Sequence, residues 1–281
     1  MTFWQLYRNT KEYYREEIKK DKRRIVITVI AVLSIVVISI VIFCVICKMS
    51  QTNDIPDDEN KNSIEALYQV QNQNEKEDSK LGKISDWELI LVNQDNKIPE
   101  DYKTKLKEVE KNYEVDERIA ENLGNMLNDA RKEGLNPIIC SAYRSREYQI
   151  ELYNKKVKEY KRQGYNQKTA EEKASTWVAI PGTGEHETGL SVDIVSENYQ
   201  ILDEEQEKTK EQKWLIENCY KYGFILRYPT EKKEITKINY EPWHYRYVGI
   251  ENAEFIKEKD MCLEEYIDYL NTMEKNSKEE V

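Results

Sequence analysis

The 281-residue sequence predicts an α+β domain preceded by one membrane-crossing helix. Three observations lead there. Segments with strand character and segments with helical periodicity are interleaved without a regular strand–helix–strand repeat. An unbroken apolar run spans Ile25 to Cys47. A loop punctuated by Gly182, Gly184 and Gly189 runs straight into a short, mostly β-branched or apolar stretch, Leu190 to Val195.

Residues 1–24 form a polar head in which Arg8, Lys11, Arg15, Lys19, Lys20 and Lys22 to Arg24 outnumber the acids. Residues 25–47 are long enough to cross a hydrocarbon layer of about 30 Å as one helix. Basic residues precede the run, and Asp54, Asp57, Asp58 and Glu59 follow it. The positive-inside rule therefore puts the head in the cytoplasm and the remainder outside, as a single-pass protein of the cell membrane. Ile46-Cys47-Lys48 offers no small-residue cleavage site, which favours a retained anchor over a cleaved signal. Residues 48–84, rich in Asn, Gln, Asp, Glu, Lys and Ser, read as a flexible extracellular linker.

The folded domain is expected over 85–270. Asp116 is placed to N-cap a helix over 117–133, with Ile119, Leu123, Met126, Leu127 and Ala130 as its apolar stripe and Gly134 as its stop. Pro137 to Ser141 reads as a strand, followed by a helix over 146–162 and a helical piece over 170–177. Leu190 to Val195 is the next strand. A helix over 211–222 stops at Gly223, and a strand covers 224–228. Residues 240–248 carry a second dense motif, a helix over 253–270 closes the domain, and 271–281 are a polar tail.

The chain holds only two histidines, each in a dense motif near carboxylates. His186 lies in Gly184-Glu185-His186-Glu187-Thr188-Gly189, seven residues before Asp193. His244 lies in Glu241-Pro242-Trp243-His244-Tyr245. Two imidazoles and one carboxylate with an open fourth position is a common ligand set for catalytic zinc. The set here is His186, Asp193 and His244, with Glu241 left to act on water. Side chains alternate along a strand, so Asp193 can face a cleft while Val192 and Ile194 enter the core. Residues three apart on a strand face opposite ways, so Glu241 and His244 meet only if the backbone bends between them. Pro242 supplies a reason for that bend. Trp243 would shield the site from water. The rival reading, two structurally satisfied histidines, has to explain why both sit in such motifs.

His-x-x-Gly-x-Ser-x-Asp followed by Glu-Pro-Trp-His-Tyr-Arg-Tyr-Val-Gly resembles the zinc D-alanyl-D-alanine carboxypeptidases of the VanY type, a family with related dipeptidases and L,D-carboxypeptidases. The resemblance extends to Ser141-Ala142-Tyr143-Arg144-Ser145 with Gln149, and to Phe224-Ile225-Leu226-Arg227-Tyr228-Pro229. It covers about Trp87 to Leu270. It implies a small, mostly antiparallel sheet flanked by helices, the hedgehog-like zinc D,D-peptidase architecture. It also implies Zn2+ as cofactor and peptidoglycan stem peptides ending in D-Ala as substrate. Arg144 and Gln149 are then the substrate-contacting pair, joined by Trp243, and Arg144 also serves a substrate carboxylate or developing oxyanion. Removing terminal D-Ala would deplete the D-Ala-D-Ala termini that glycopeptide antibiotics bind. An L,D-carboxypeptidase, an endopeptidase on the same stems, and a non-catalytic zinc-stabilised module that binds wall peptides stay open at this point. A base beside the metal has no use in a pure binder, which favours catalysis. The chain departs from the family pattern at Gly184, usually serine, at Ser191, usually alanine, and at Lys237, often glycine.

Net charge of −10 makes nucleic acid an unfavourable partner. Arg227 and Arg246 read as structural supports. Cys44 and Cys47 fall in the apolar run, and Cys140 and Cys219 have the apolar neighbours of buried thiols.

Overall fold

The computed structural model describes residues 81–279. The basic head, the apolar run and all but the last four residues of the expected linker lie outside the described residues. Among the described residues no helix is long and apolar enough to cross a membrane.

The domain is α+β. A hairpin of β1 (Leu106–Glu110) and β2 (Tyr113–Asp116) precedes helix α1 (Ala120–Lys132). Strand β3 (Pro137–Ser141) leads into α2 (Arg146–Arg162) and α3 (Gln167–Ala174). Then come β4 (Ser191–Ser196), α4 (Lys210–Asn218), β5 (Phe224–Leu226), the one-turn α5 (Lys233–Thr236) and β6 (His244–Tyr247). Helices α6 (Ile250–Glu258) and α7 (Leu263–Glu279) close the chain. The main sheet has the order β3-β4-β6-β5, and each neighbouring pair is antiparallel.

The alternation expected of β4 holds. Val192 and Ile194 are fully buried in a core with Leu123, Met126 and Leu127 of α1 and Leu215 of α4. The expected apolar stripe of α1 is buried in full. A second core gathers Ile225, Val248 and the inward faces of α6 and α7, including Phe255, Ile256, Leu263 and Tyr266. Helices α1 and α4 therefore cover the sheet face that carries Val192 and Ile194, Ile225 on the opposite face packs against α6 and α7, and the rest of that face carries polar side chains of β4 and β6.

Several elements differ from expectation. Asp116 does not cap α1. It ends β2, and its carboxylate is taken by Thr104 Oγ1 at 2.7 Å and by the Arg118 backbone N–H at 3.0 Å, so the helix starts at Ala120. The β1–β2 hairpin was not foreseen, because its strands are mostly charged or half-exposed and carry little apolar alternation. The closing helix is two helices. Asp260 adopts φ 50° between them, and the second continues to Glu279 through most of the expected polar tail. The helix before Gly223 tightens to a 3₁₀ turn at Cys219–Tyr222, and Gly223 stops it with φ 81°. Cys140, Cys219 and Cys262 are free thiols, and burial pushes the first two up to about 12 and the third to about 11.

Gly189 ends the 3₁₀ turn Glu185–Thr188 that carries His186, with φ 77°. A Cβ there would stand 2.9 Å from the Asp116 backbone nitrogen, which itself donates to the Gly189 carbonyl at 3.0 Å. Gly189→Ala is expected to cost more than about 1 kcal/mol, from left-handed backbone strain plus that contact. Urea denaturation of the variant against the parent measures it.

Candidate active site

Register sets the geometry of the site. β4 and β6 pair so that Asp193 lies opposite His244. Directly opposed residues of an antiparallel pair share a face with their Cβ atoms about 5 Å apart, so the pairing alone brings carboxylate and imidazole together. The irregular step between Ile139 and Ser141 sets Ser141 opposite Asp193 on the other side. That step aims the Ala142 carbonyl at His186, whose Nδ1 donates to it at 2.7 Å. Arg144 N–H in turn donates to the His186 carbonyl at 3.1 Å.

The three expected ligands converge. The ligand atoms of His186, Asp193 and His244 lie within 4.8 Å of one another, and all three residues are buried. His186 Nε2 stands 3.2 Å from Asp193 Oδ1, and His244 Nδ1 stands 3.0 Å from the same oxygen. The two rings meet edge to face at 4.8 Å between centroids. Each ring's remaining nitrogen is already committed as a donor, His186 Nδ1 to Ala142 and His244 Nε2 to Glu185 Oε2 at 3.4 Å. The other two nitrogens both face the Asp193 carboxylate. Once His244 Nδ1 gives up its proton, two imidazole nitrogens and a carboxylate meet at one point, so the donor set fits Zn2+, with the outer partner of each histidine fixing its orientation.

Glu241 reaches the same point. The expected bend is a turn in which His244 N–H donates to the Glu241 carbonyl at 3.1 Å. It brings Glu241 Oε2 to 3.8 Å from His244 Nδ1. Burial pushes the Glu241 carboxyl up to about 8, with Asp193 adding repulsion. For His244, burial alone would lower the pKa, but hydrogen bonds to Asp193 and Glu185 outweigh it and lift it to about 9. Burial, reinforced by the Arg144 guanidinium, drops His186 to about 4.

The remaining sequence candidates line one cleft with the ligands: Arg144, Gln149 and Trp243. Arg144 also makes contacts within the protein that the sequence did not suggest. Its Nη2 donates to Asp193 Oδ2 at 2.7 Å and its Nε to Ser141 Oγ at 2.8 Å, so it also braces a metal ligand. Gln149 is only 1% exposed. Its amide donates to the Ala179 carbonyl at 2.8 Å, while its Oε1 has no partner.

Sequence reasoning missed Glu185. It is fully buried beside the site, where it accepts from Arg227 Nε at 2.8 Å, Arg246 Nη1 at 2.9 Å and His244 Nε2. Burial would raise its carboxyl, but the two guanidiniums hold it well below its ordinary value. Arg227 continues outward in a two-pronged pair with Glu264 of α7, at 2.8 and 2.7 Å. The signal was present: two arginines inside apolar strand motifs need a buried carboxylate. Only the choice among many acids was not readable.

A family model described as D-alanyl-D-alanine carboxypeptidase, VanY, matches residues 112–250. A D-alanyl-D-alanine carboxypeptidase of Enterococcus faecalis is 44% identical over 186 residues, which are 66% of this chain and 68% of that protein. A vancomycin-resistance D,D-pentapeptidase VanY from a VanB-type resistance cassette, solved with Zn(II), superposes with TM-score 0.60 at 46% identity. The match covers 65% of this chain and 99% of that one. VanYB in complex with D-alanine-D-alanine gives TM-score 0.61 at 45% identity, over 65% and 98% of the two chains.

Three outcomes follow from this geometry. Glu185→Ala leaves the buried Arg246 without a carboxylate and takes one of two from Arg227, and is expected to cost about 3–5 kcal/mol in chemical denaturation. In the metal-free chain the raised His244 stabilises the fold fully below pH 6.5, and that contribution is lost as pH climbs through 9. Thermal unfolding without metal should therefore weaken across pH 6.5 to 9, by about 3 kcal/mol from His244. Zinc binding over the same window should release about one proton, read by calorimetry in buffers of different ionisation enthalpy.

Proposed function

The chain belongs to the VanY family of D-alanyl-D-alanine carboxypeptidases, and from that premise we propose that it removes the C-terminal D-alanine of peptidoglycan stem peptides at the outer face of the cell membrane. The observation that carries the reading is the convergence of His186 Nε2, His244 Nδ1, Asp193 and the raised carboxyl of Glu241 on one point of one cleft. The proposed anchor is the apolar run 25–47, with the basic head inside and the catalytic domain outside.

His186, Asp193 and His244 would hold the zinc, which when bound supplies Lewis acidity toward a peptide carbonyl and acidifies a water. Glu241 takes a proton from the attacking water and returns it to the leaving D-alanine amine. Its carboxylate, 3.8 Å from His244 Nδ1, is within reach of both positions. Glu185 keeps the His244 proton on Nε2, so that Nδ1 faces the site as a lone pair. Arg144 offers its fork to the substrate's terminal carboxylate or to the developing oxyanion while keeping Asp193 in place. The unpartnered Oε1 of Gln149 supports its reading as an acceptor for a substrate N–H. Trp243, 5% exposed, excludes water from the site.

The test incubates the zinc-loaded chain with pentapeptide and tetrapeptide stems and follows the products by mass. One alanine lost from the pentapeptide alone is the expected result. Loss from the tetrapeptide would make the chain an L,D-carboxypeptidase, and a cut inside the stem an endopeptidase. Binding without any cleavage would make it a wall-peptide receptor. Glu241→Ala should retain zinc, by metal analysis, and lose about 10²- to 10⁴-fold in kcat.

A further inference from the structure

The cleft extends well past the metal ligands. It encloses about 440 Å³, and one wall follows a single face of α2 through Gln149, Leu152, Lys156 and Glu159, with Lys155 beside them. These positions recur at helical spacing. Gln149 marks the inner end. A Cβ on Gly184, two residues before His186, would lie 3.5 Å from Gln149 Nε2. Lys156 is seven residues farther along the helix, roughly 10 Å at 1.5 Å per residue. An extended peptide covers that distance in about three residues. A stem peptide with its last bond at the ligands would therefore bring the residue three places upstream beside Lys155 and Lys156.

The charge at that end is unusual for this chain. The protein carries net −10, yet two ammonium groups line the cleft here. Lys156 is paired with Glu159 at 3.2 Å. Lys155 has no ion pair among the described residues, so one positive charge is left over. The residue three places before the last in a pentapeptide stem is γ-linked D-glutamate, whose α-carboxylate is free unless amidated.

We propose that Lys155 and Lys156 form a subsite for a stem carboxylate upstream of the scissile bond, the free α-carboxylate of γ-linked D-glutamate. The inference rests on the carboxypeptidase reading and gives its substrate preference. A carboxylate on a diamino acid at the third position has the same chemistry, and the experiment separates the two.

The full zinc-loaded chain is compared with its Lys155→Ala/Lys156→Ala variant. Both are titrated calorimetrically with tetrapeptide products and assayed on pentapeptides. The stems carry D-glutamate or its α-amide at position two, and lysine or a dicarboxylic diamino acid at position three. The parent should favour the free D-glutamate stem over the amide by about 3- to 10-fold in Kd and KM with kcat unchanged, shrinking at high salt. The double variant should lose that preference. Equal binding of acid and amide by the parent, or equal loss on both by the variant, would overturn the proposal. Discrimination only by the third residue's carboxylate would move the subsite one residue inward and overturn its assignment to D-glutamate. An N-acylated tripeptide ending in D-Ala-D-Ala, which lacks the D-glutamate, reads the underlying activity separately. If it is cut alike by parent and variant, the carboxypeptidase reading stands whatever the subsite does. If nothing is cut, that reading fails while the calorimetry still decides the subsite.

Discussion

The buried carboxylate of Glu185 is the contact on which the arrangement of the site depends. It lies away from water between two guanidiniums and an imidazole, and it accepts from all three. Arg246 is fixed further by the carbonyls of Glu88 and Ile90, both at 2.8 Å, so the N-terminal stretch of the domain is drawn in. Arg227 reaches α7 through Glu264, which also accepts from Asn93 at 3.1 Å. Segments far apart in sequence thus meet at one charge. Buried ion networks add little to stability relative to apolar packing, but breaking one is costly. What this one supplies is orientation, since His244 can present Nδ1 to the cleft only while its Nε2 proton is held.

The second constraint is β register. A one-residue slip between β4 and β6 would turn Asp193 into the apolar core and bring Val192 to the cleft. Val192 and Ile194, fully buried against α1 and α4, prevent that slip. The packing that stabilises the sheet and the pairing that builds the ligand set are therefore one arrangement. The sharp turn at Glu241 completes it, because it brings Glu241 and His244 of one short motif to the same point without lengthening the strand.

Much of this was legible in the residues. The two histidines, Asp193 and Glu241 declared themselves by type, rarity and spacing, and the bend at Pro242 followed from the need to bring Glu241 and His244 to one side. The bounds of α2 and β3 were read correctly, since Ser145 and the apolar run at Pro137 give clear local signals. What escaped depended on partners distant in sequence. Asp116 has the chemistry of a cap and was claimed instead by Thr104 and Arg118. The β1–β2 hairpin has a charged surface that hides its alternation. Glu185 looked like one more acid in an acidic chain until Arg227 and Arg246 were seen to close on it. Arg144 was read as a substrate contact, and its bond to Asp193 depended on a bulge in β3 that no local pattern announces.

The Arg227–Glu264 pair has a bearing on where this catalytic unit ends. The stretch shared as a family pattern stops near residue 250, yet Glu264, fourteen residues beyond it, grips the arginine that holds Glu185. A module cut at the family boundary and fused elsewhere would keep His186, Asp193 and His244 and lose the brace behind them. For this chain, the portable unit is larger than its motif, and its outer limit is set by a carboxylate on α7.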